Sequence, residues 1–123
     1  AGSYAFRQLL DAGALLCFGS DFPVVTLDPF AGIDAAVNAK TLAGQVWLSS
    51  HSLTLDEALR AYTVWPPKAI QRDDRLGTLE VGKLADLVIL AADPLELPIH
   101  EVGKVKVRQT ILGGKVVYNL PEG

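Results

Sequence analysis

The chain has 123 residues, 50% of them hydrophobic, and a formal charge of −3. Its 11 basic residues are scattered among 14 acidic ones, which excludes the clustered cations that a nucleic-acid backbone demands. A single cysteine excludes an internal disulfide, no apolar run approaches the ~20 residues of a membrane span, and the first residues lack the charged and apolar regions of a secretion signal.

From the N-terminus, residues 3–12 read as a helix. Ser3 is placed to cap it, Phe6, Leu9 and Leu10 recur at helical spacing, and Gly13 is placed to end it. The run Ala14-Leu15-Leu16-Cys17-Phe18, bounded by Gly13 and Gly19, predicts a short β-strand buried on both faces, with Cys17 as an inert packing thiol. Gly19-Ser20-Asp21-Phe22 then sets a lone carboxylate at the C-terminal mouth of that strand. Taken by itself, an aspartate there is a turn-forming residue.

The loop 22–28 closes on Asp28-Pro29, an N-cap followed by a proline at the first helical position. A helix over 29–40 follows, with Ile33, Ala36 and Val37 on one face. Residues 42–53 read as an irregular connection anchored by Val46, Trp47 and Leu48, with His51 solvated among serines. Thr54 and Glu57 form a Thr-x-x-Glu capping box ahead of the apolar positions Leu55, Ala58, Leu59 and Tyr62. Pro66-Pro67 stops that helix, and a short one follows over 67–71. Beyond Arg75, glycines punctuate β-branched runs that predict strands at 87–90, 105–112 and 116–118. Gly113-Gly114 joins the last two as a hairpin. Asp86, beside the Gly82-Lys83 turn, reads as an acceptor of backbone hydrogen bonds, and Asp73-Asp74 as a solvated loop pair.

In this order, "FGSDFPV", "DPFAGIDAAV", "LTLDEALRAYTVWPPKAI", "RLGTLEVGKLADLVILAADP" and "VRQTILGGKVVY" resemble the C-terminal third of a metal-dependent amidohydrolase. The similarity is greatest to amidohydrolase family 3, the branch of the N-substituted formamide deformylases, and it covers nearly the whole chain. It implies an α/β fold in two parts. Residues 1–72 would be the C-terminal end of a (β/α)8 TIM barrel, its last strand and helices, and residues 73–123 part of a small β-sandwich whose other strands precede the barrel. The resemblance also implies zinc or another divalent metal, held by a His-x-His pair, further histidines, a lysine or acidic residue, and a strand-eight aspartate. Of these, Asp21 alone is present. His51 and His100 have no His-x-His spacing, His100 falls in the β part away from the barrel mouth, and zinc takes three or four protein ligands. The chain is therefore expected to be a C-terminal fragment whose metal site is completed by the longer parent, with no metal bound tightly to this chain alone.

Within that parent, the resemblance makes Asp21 both metal ligand and general base in hydrolysis of a carbon–nitrogen bond, other than a peptide bond, in a small amide-type substrate. The loops that would define the substrate lie largely outside the chain. Two alternatives stand beside this reading: a D-aminoacylase or dihydroorotase-like branch, and a non-catalytic module that associates with itself. Unpaired strand edges and uncovered apolar faces predict a homo-oligomer, with neither nucleic acid nor membrane as partner and a cytoplasmic location.

Overall fold

The computed structural model describes residues 5–41, 44–46 and 49–121. The first helix, α1, covers Phe6–Asp11 and is shorter than the predicted span. Its N-cap, Ala5, provides no side-chain acceptor, and the expected cap Ser3 lies outside the described residues. Gly13 ends it at φ 86°, its amide donating to the Leu10 carbonyl at 2.8 Å.

Residues 14–18 correct the first strand expectation, because they take part in no ladder among the described residues. A strand is defined by its neighbours, and among the described residues this segment finds two backbone partners: Ala14 donates to Leu9 and Phe18 donates to Ala61, at 2.9 and 3.0 Å. Burial alternates along it. Leu16 is 9% exposed and Phe18 is half-buried, while Leu15 and Cys17 are exposed. The period of two is that of a strand, but this chain covers one face of it, so Cys17 is not the buried packing thiol that its apolar neighbours suggest.

Helix α2, Pro29–Asn38, starts as the sequence predicts, with the Asp28 carboxylate accepting from the Phe30 amide at 3.0 Å and proline in the first turn. It stops two residues early, at Ala39 in the left-handed conformation. Helix α3, Leu55–Tyr62, carries the predicted capping box: Thr54 Oγ1 accepts from the Glu57 amide, and Glu57 Oε2 accepts from the Thr54 amide. Arg7 adds a second use for the same carboxylate, donating through Nη1 to both Glu57 oxygens at 2.8 Å and so tying α1 to the start of α3. A short helix α4, Trp65–Ala69, takes Pro66 in its first turn, where a missing amide costs nothing.

The connection between α2 and α3 is irregular, as predicted, but its anchor is different. Val46 is exposed, and Trp47 and Leu48 lie outside the described residues. Leu53, 3% exposed, pins the segment instead, its amide donating to the Ala36 carbonyl on α2.

Three antiparallel strands follow: β1 (Leu87–Leu90), β2 (Val107–Leu112) and β3 (Lys115–Asn119), in the order β1-β2-β3. The β2–β3 hairpin turns at Gly113-Gly114, both with positive φ, which glycine adopts at no steric cost. Asp86 Oδ1 accepts the Gly113 amide at 2.7 Å, the backbone role its position suggested. Between β1 and β2, a 3-10 stretch at Ile99–Lys104 packs on α2. It delivers Val102 and Val105 into one core with Phe30, Ile33 and Ala58, while Leu16, Leu53 and Ala61 form a second cluster. Ala36 packs against both.

Candidate functional site

Asp21 sits in a tight turn directly after the alternating segment. Its φ of 52° is left-handed, a conformation that Asp and Asn tolerate better than most residues, and its carbonyl accepts the Val24 amide at 2.9 Å. The residue is exposed, so the turn presents the carboxylate rather than burying it. Further along, Thr26 Oγ1 accepts the Asp28 amide at 3.2 Å, fixing the loop where it enters α2.

Beside this loop lies a groove of about 520 Å³. Helix α2 contributes its small residues Ala31, Gly32 and Ala35, and the loop contributes Ser20, Val25 and Thr26. Phe18 stands between two aromatic neighbours in edge-to-face contact, with ring centroids 5.1 Å from Phe6 and 5.8 Å from Tyr62. Tyr62 also passes directly over Gly32, where a Cβ would overlap its hydroxyl, so the close approach of α3 to α2 requires glycine at that position. Burial pushes the Tyr62 phenol up from its ordinary value and keeps it a neutral donor.

The structure treats the two histidines differently. His100 is exposed on the 3-10 stretch, apart from the groove, in keeping with the sequence. His51 is not the solvated residue that its serine neighbours suggested: it is half-buried, lines the groove, and its Nδ1 is enclosed without a hydrogen-bond partner among the described residues. The reason is long-range, since the Leu53–Ala36 bond folds the connection back onto α2. One local signal could have pointed to this groove: Gly32, a glycine inside a helical pattern, where a packing reason is the usual cause.

Among the described residues no group of three or more His, Cys, Asp or Glu is gathered so as to hold an ion. An exposed carboxylate in a fixed turn suits one position in the coordination of a hard or borderline cation, and the remaining ligands would have to come from outside these residues.

A family model described as "Amidohydrolase family" matches residues 1–118. The chain is 35% identical over 115 residues to the N-substituted formamide deformylase of Arthrobacter pascens, covering 94% of this chain and 21% of that protein. It is 37% identical over 117 residues to the Protein LONG AFTER FAR-RED 3 of Arabidopsis thaliana, covering 94% of this chain and 20% of the relative. Its fold superposes on a crystal structure of an amidohydrolase from Thermotoga maritima with a TM-score of 0.72 at 24% identity, over 95% of this chain and 26% of that one. The chain thus spans about a fifth of the length of the curated relatives it matches. By the family match along nearly its whole length, the chain belongs to the amidohydrolase family.

Proposed function

We propose that this chain is the C-terminal part of a longer metal-dependent hydrolase that cleaves carbon–nitrogen bonds in small amide-type substrates, with Asp21 as metal ligand and general base. In this reading residues 1–72 close the barrel and residues 73–123 contribute to a β-sandwich. The observation that carries it is the position of Asp21: an exposed carboxylate held in a turn at the end of a strand-like segment, within a chain matched to the family over residues 1–118. Strand ends of barrels are where catalytic side chains gather.

When bound, zinc or another divalent cation supplies a nucleophile at neutral pH by lowering the pKa of water, and polarises the carbonyl under attack. Asp21 does the proton work. One carboxylate oxygen takes the proton released as water attacks the carbonyl carbon, and the same oxygen returns it to the leaving nitrogen as the carbon–nitrogen bond breaks. Exposure keeps this carboxylate reachable by water and substrate, and the Val24–Asp21 hydrogen bond keeps its backbone fixed while the proton moves. The 35% identity to an N-substituted formamide deformylase favours substituted formamides as substrates over the N-acyl amino acids or cyclic ureides of the D-aminoacylase and dihydroorotase-like branches.

A second reading, a self-associating module without catalysis, draws on the full exposure of β3. The two part company in one experiment. In the longer polypeptide, Asp21→Asn is expected to lower kcat/KM at least ~100-fold with an unchanged circular dichroism spectrum, the usual contribution of a general base. A rate within tenfold of the parent removes Asp21 from the mechanism.

A further inference from the structure

Residues 99–105 read Ile-His-Glu-Val-Gly-Lys-Val, and in a 3-10 stretch, with three residues per turn, Val102 and Val105 fall on one face. Both are buried in one core with Phe30 and Ile33 of α2. The contacts between this segment and the helix run in opposite chain order. At the C-terminal end of α2, Asn38 Nδ2 donates to the Ile99 carbonyl at 2.9 Å and to Asp34 Oδ1 at 2.6 Å. One turn back, Gly103 lies so close to Asp34 that a Cβ on it would come within 3.0 Å of the Asp34 Cβ. At the N-cap, Lys106 Nζ reaches the Asp28 carboxylate at 4.0 Å, an exposed pair that adds little by itself. The segment is also fixed to the sheet, because the Lys106 carbonyl accepts the Ala91 amide at 2.9 Å and Val107 opens β2.

Gly103 does not have a positive φ, so it is the contact, not the backbone conformation, that asks for glycine there. The Asp34 Cβ is joined directly to the helix backbone and cannot swing aside. Volume added at position 103 must therefore move the helix or the segment. Asp21 stands between two anchors of the same framework. Before it, the Phe18 amide donates to the Ala61 carbonyl on α3; after it, the Val24 amide donates to the Asp21 carbonyl, the Asp28 amide donates to Thr26 Oγ1, and the Asp28 carboxylate caps α2. With two turns drawn closed by these bonds, little slack separates Asp21 from the start of α2.

We propose that Gly103 and Asn38 are positioning residues for Asp21: through them the sheet sets where α2 lies, and thereby where the Asp21 carboxylate stands. This rests on the assignment of Asp21 as a metal ligand made above. A ligand and base tolerates little displacement, since a misplacement of ~1 Å can cost about 100-fold.

Zinc affinity of the longer polypeptide, measured by competition with a chelator, tests this without a substrate. Gly103→Val is expected to weaken zinc binding at least tenfold with an unchanged circular dichroism spectrum, the scale on which residues that support a ligand act. Gly103→Ala should weaken it less. Asn38→Ala releases the segment at its other end without adding volume and should act in the same direction, which keeps the test open if the larger side chain unfolds the protein. The decisive comparison repeats these changes on Asp21→Asn. An effect that acts through Asp21 should then cost no more than about twofold further. An equal loss in both backgrounds, as a merely structural role would give, overturns the proposal, and so does unaltered affinity in the folded single variants. The two assignments fail differently. If Asp21→Asn itself leaves zinc affinity unchanged, Asp21 is not a ligand and the positioning role falls with it; if Asp21→Asn weakens zinc while Gly103→Val and Asn38→Ala do not, the positioning role falls alone.

Discussion

Helices α2 and α3 and strand β3 solve different halves of the same problem. At the helix contact, Ile33 is 2% exposed and Ala58 and Val102 not at all. Along β3 every residue is exposed, including Val117 at 60% and Tyr118 at 43%. The helices bond their backbones internally, while β3 pairs along one edge, to β2, and has no strand on its other edge among the described residues. They differ in side-chain cover. A helix has one apolar stripe, which a neighbouring helix and a 3-10 stretch can hide, whereas a sheet has two faces and needs a layer against each face that is not meant for water. The described residues provide the helix with its layer and give β3 none.

If that contrast is real, equal truncations must have unequal costs. Ile33→Ala is expected to destabilise the chain by ~3 kcal/mol in urea denaturation, since it empties a closed site between α2 and the 3-10 stretch. A loss under ~1 kcal/mol would mean that the helical region is as loosely covered as the sheet. The capping box gives an intermediate effect. Thr54→Ala should cost ~1 kcal/mol, and Glu57 adds a pH dependence to the same box. Burial pushes the Glu57 carboxyl up, but hydrogen bonds from the Thr54 amide, Arg7 and the Thr54 hydroxyl outweigh it and hold it below its usual range. A carboxyl depressed in the folded state stabilises above its unfolded pKa, and that contribution is lost as the pH falls through the folded value. Stability should therefore drop more steeply below the usual glutamate range in the parent than in Glu57→Gln, with parallel acid limbs as the contrary result. The smallest effect belongs to the sheet: Val117→Thr should change stability by no more than ~0.5 kcal/mol, as at other exposed positions. A cost comparable to that of Ile33→Ala would show that β3 is covered in solution, by a second copy or by more of the polypeptide.

The same contrast explains what could be read from the residues alone. Asp28-Pro29, the Thr54–Glu57 box, the Gly113-Gly114 hairpin and the acceptor role of Asp86 are decided within a few residues or by one turn, and each stands where the sequence placed it. Asp21 was legible as a turn-forming residue after an apolar run for the same reason. What failed depended on distant partners. The run 14–18 has the composition of a strand but no ladder among the described residues, and Cys17 is exposed because one face of that run is left uncovered by them. His51 was hidden by the opposite effect, as a long-range hydrogen bond between Leu53 and Ala36 draws a serine-rich connection against α2. Tyr62 was visible as a member of an apolar stripe, but its place over Gly32 belongs to the packing of two helices and to neither sequence segment alone.

The left-handed backbone at Asp21 restricts what this position can become. Conformation admits a short alphabet there, Gly, Asn and Asp, because other side chains meet a steric cost of roughly 1 kcal/mol in that basin. Acid–base chemistry by a carboxylate, the role proposed for Asp21, admits another, Asp and Glu. The two alphabets share one letter. Asparagine would keep the turn and lose the basicity, glutamate would keep the basicity and strain the turn, and of the three aspartate alone would hold its shape while exchanging the proton proposed for it.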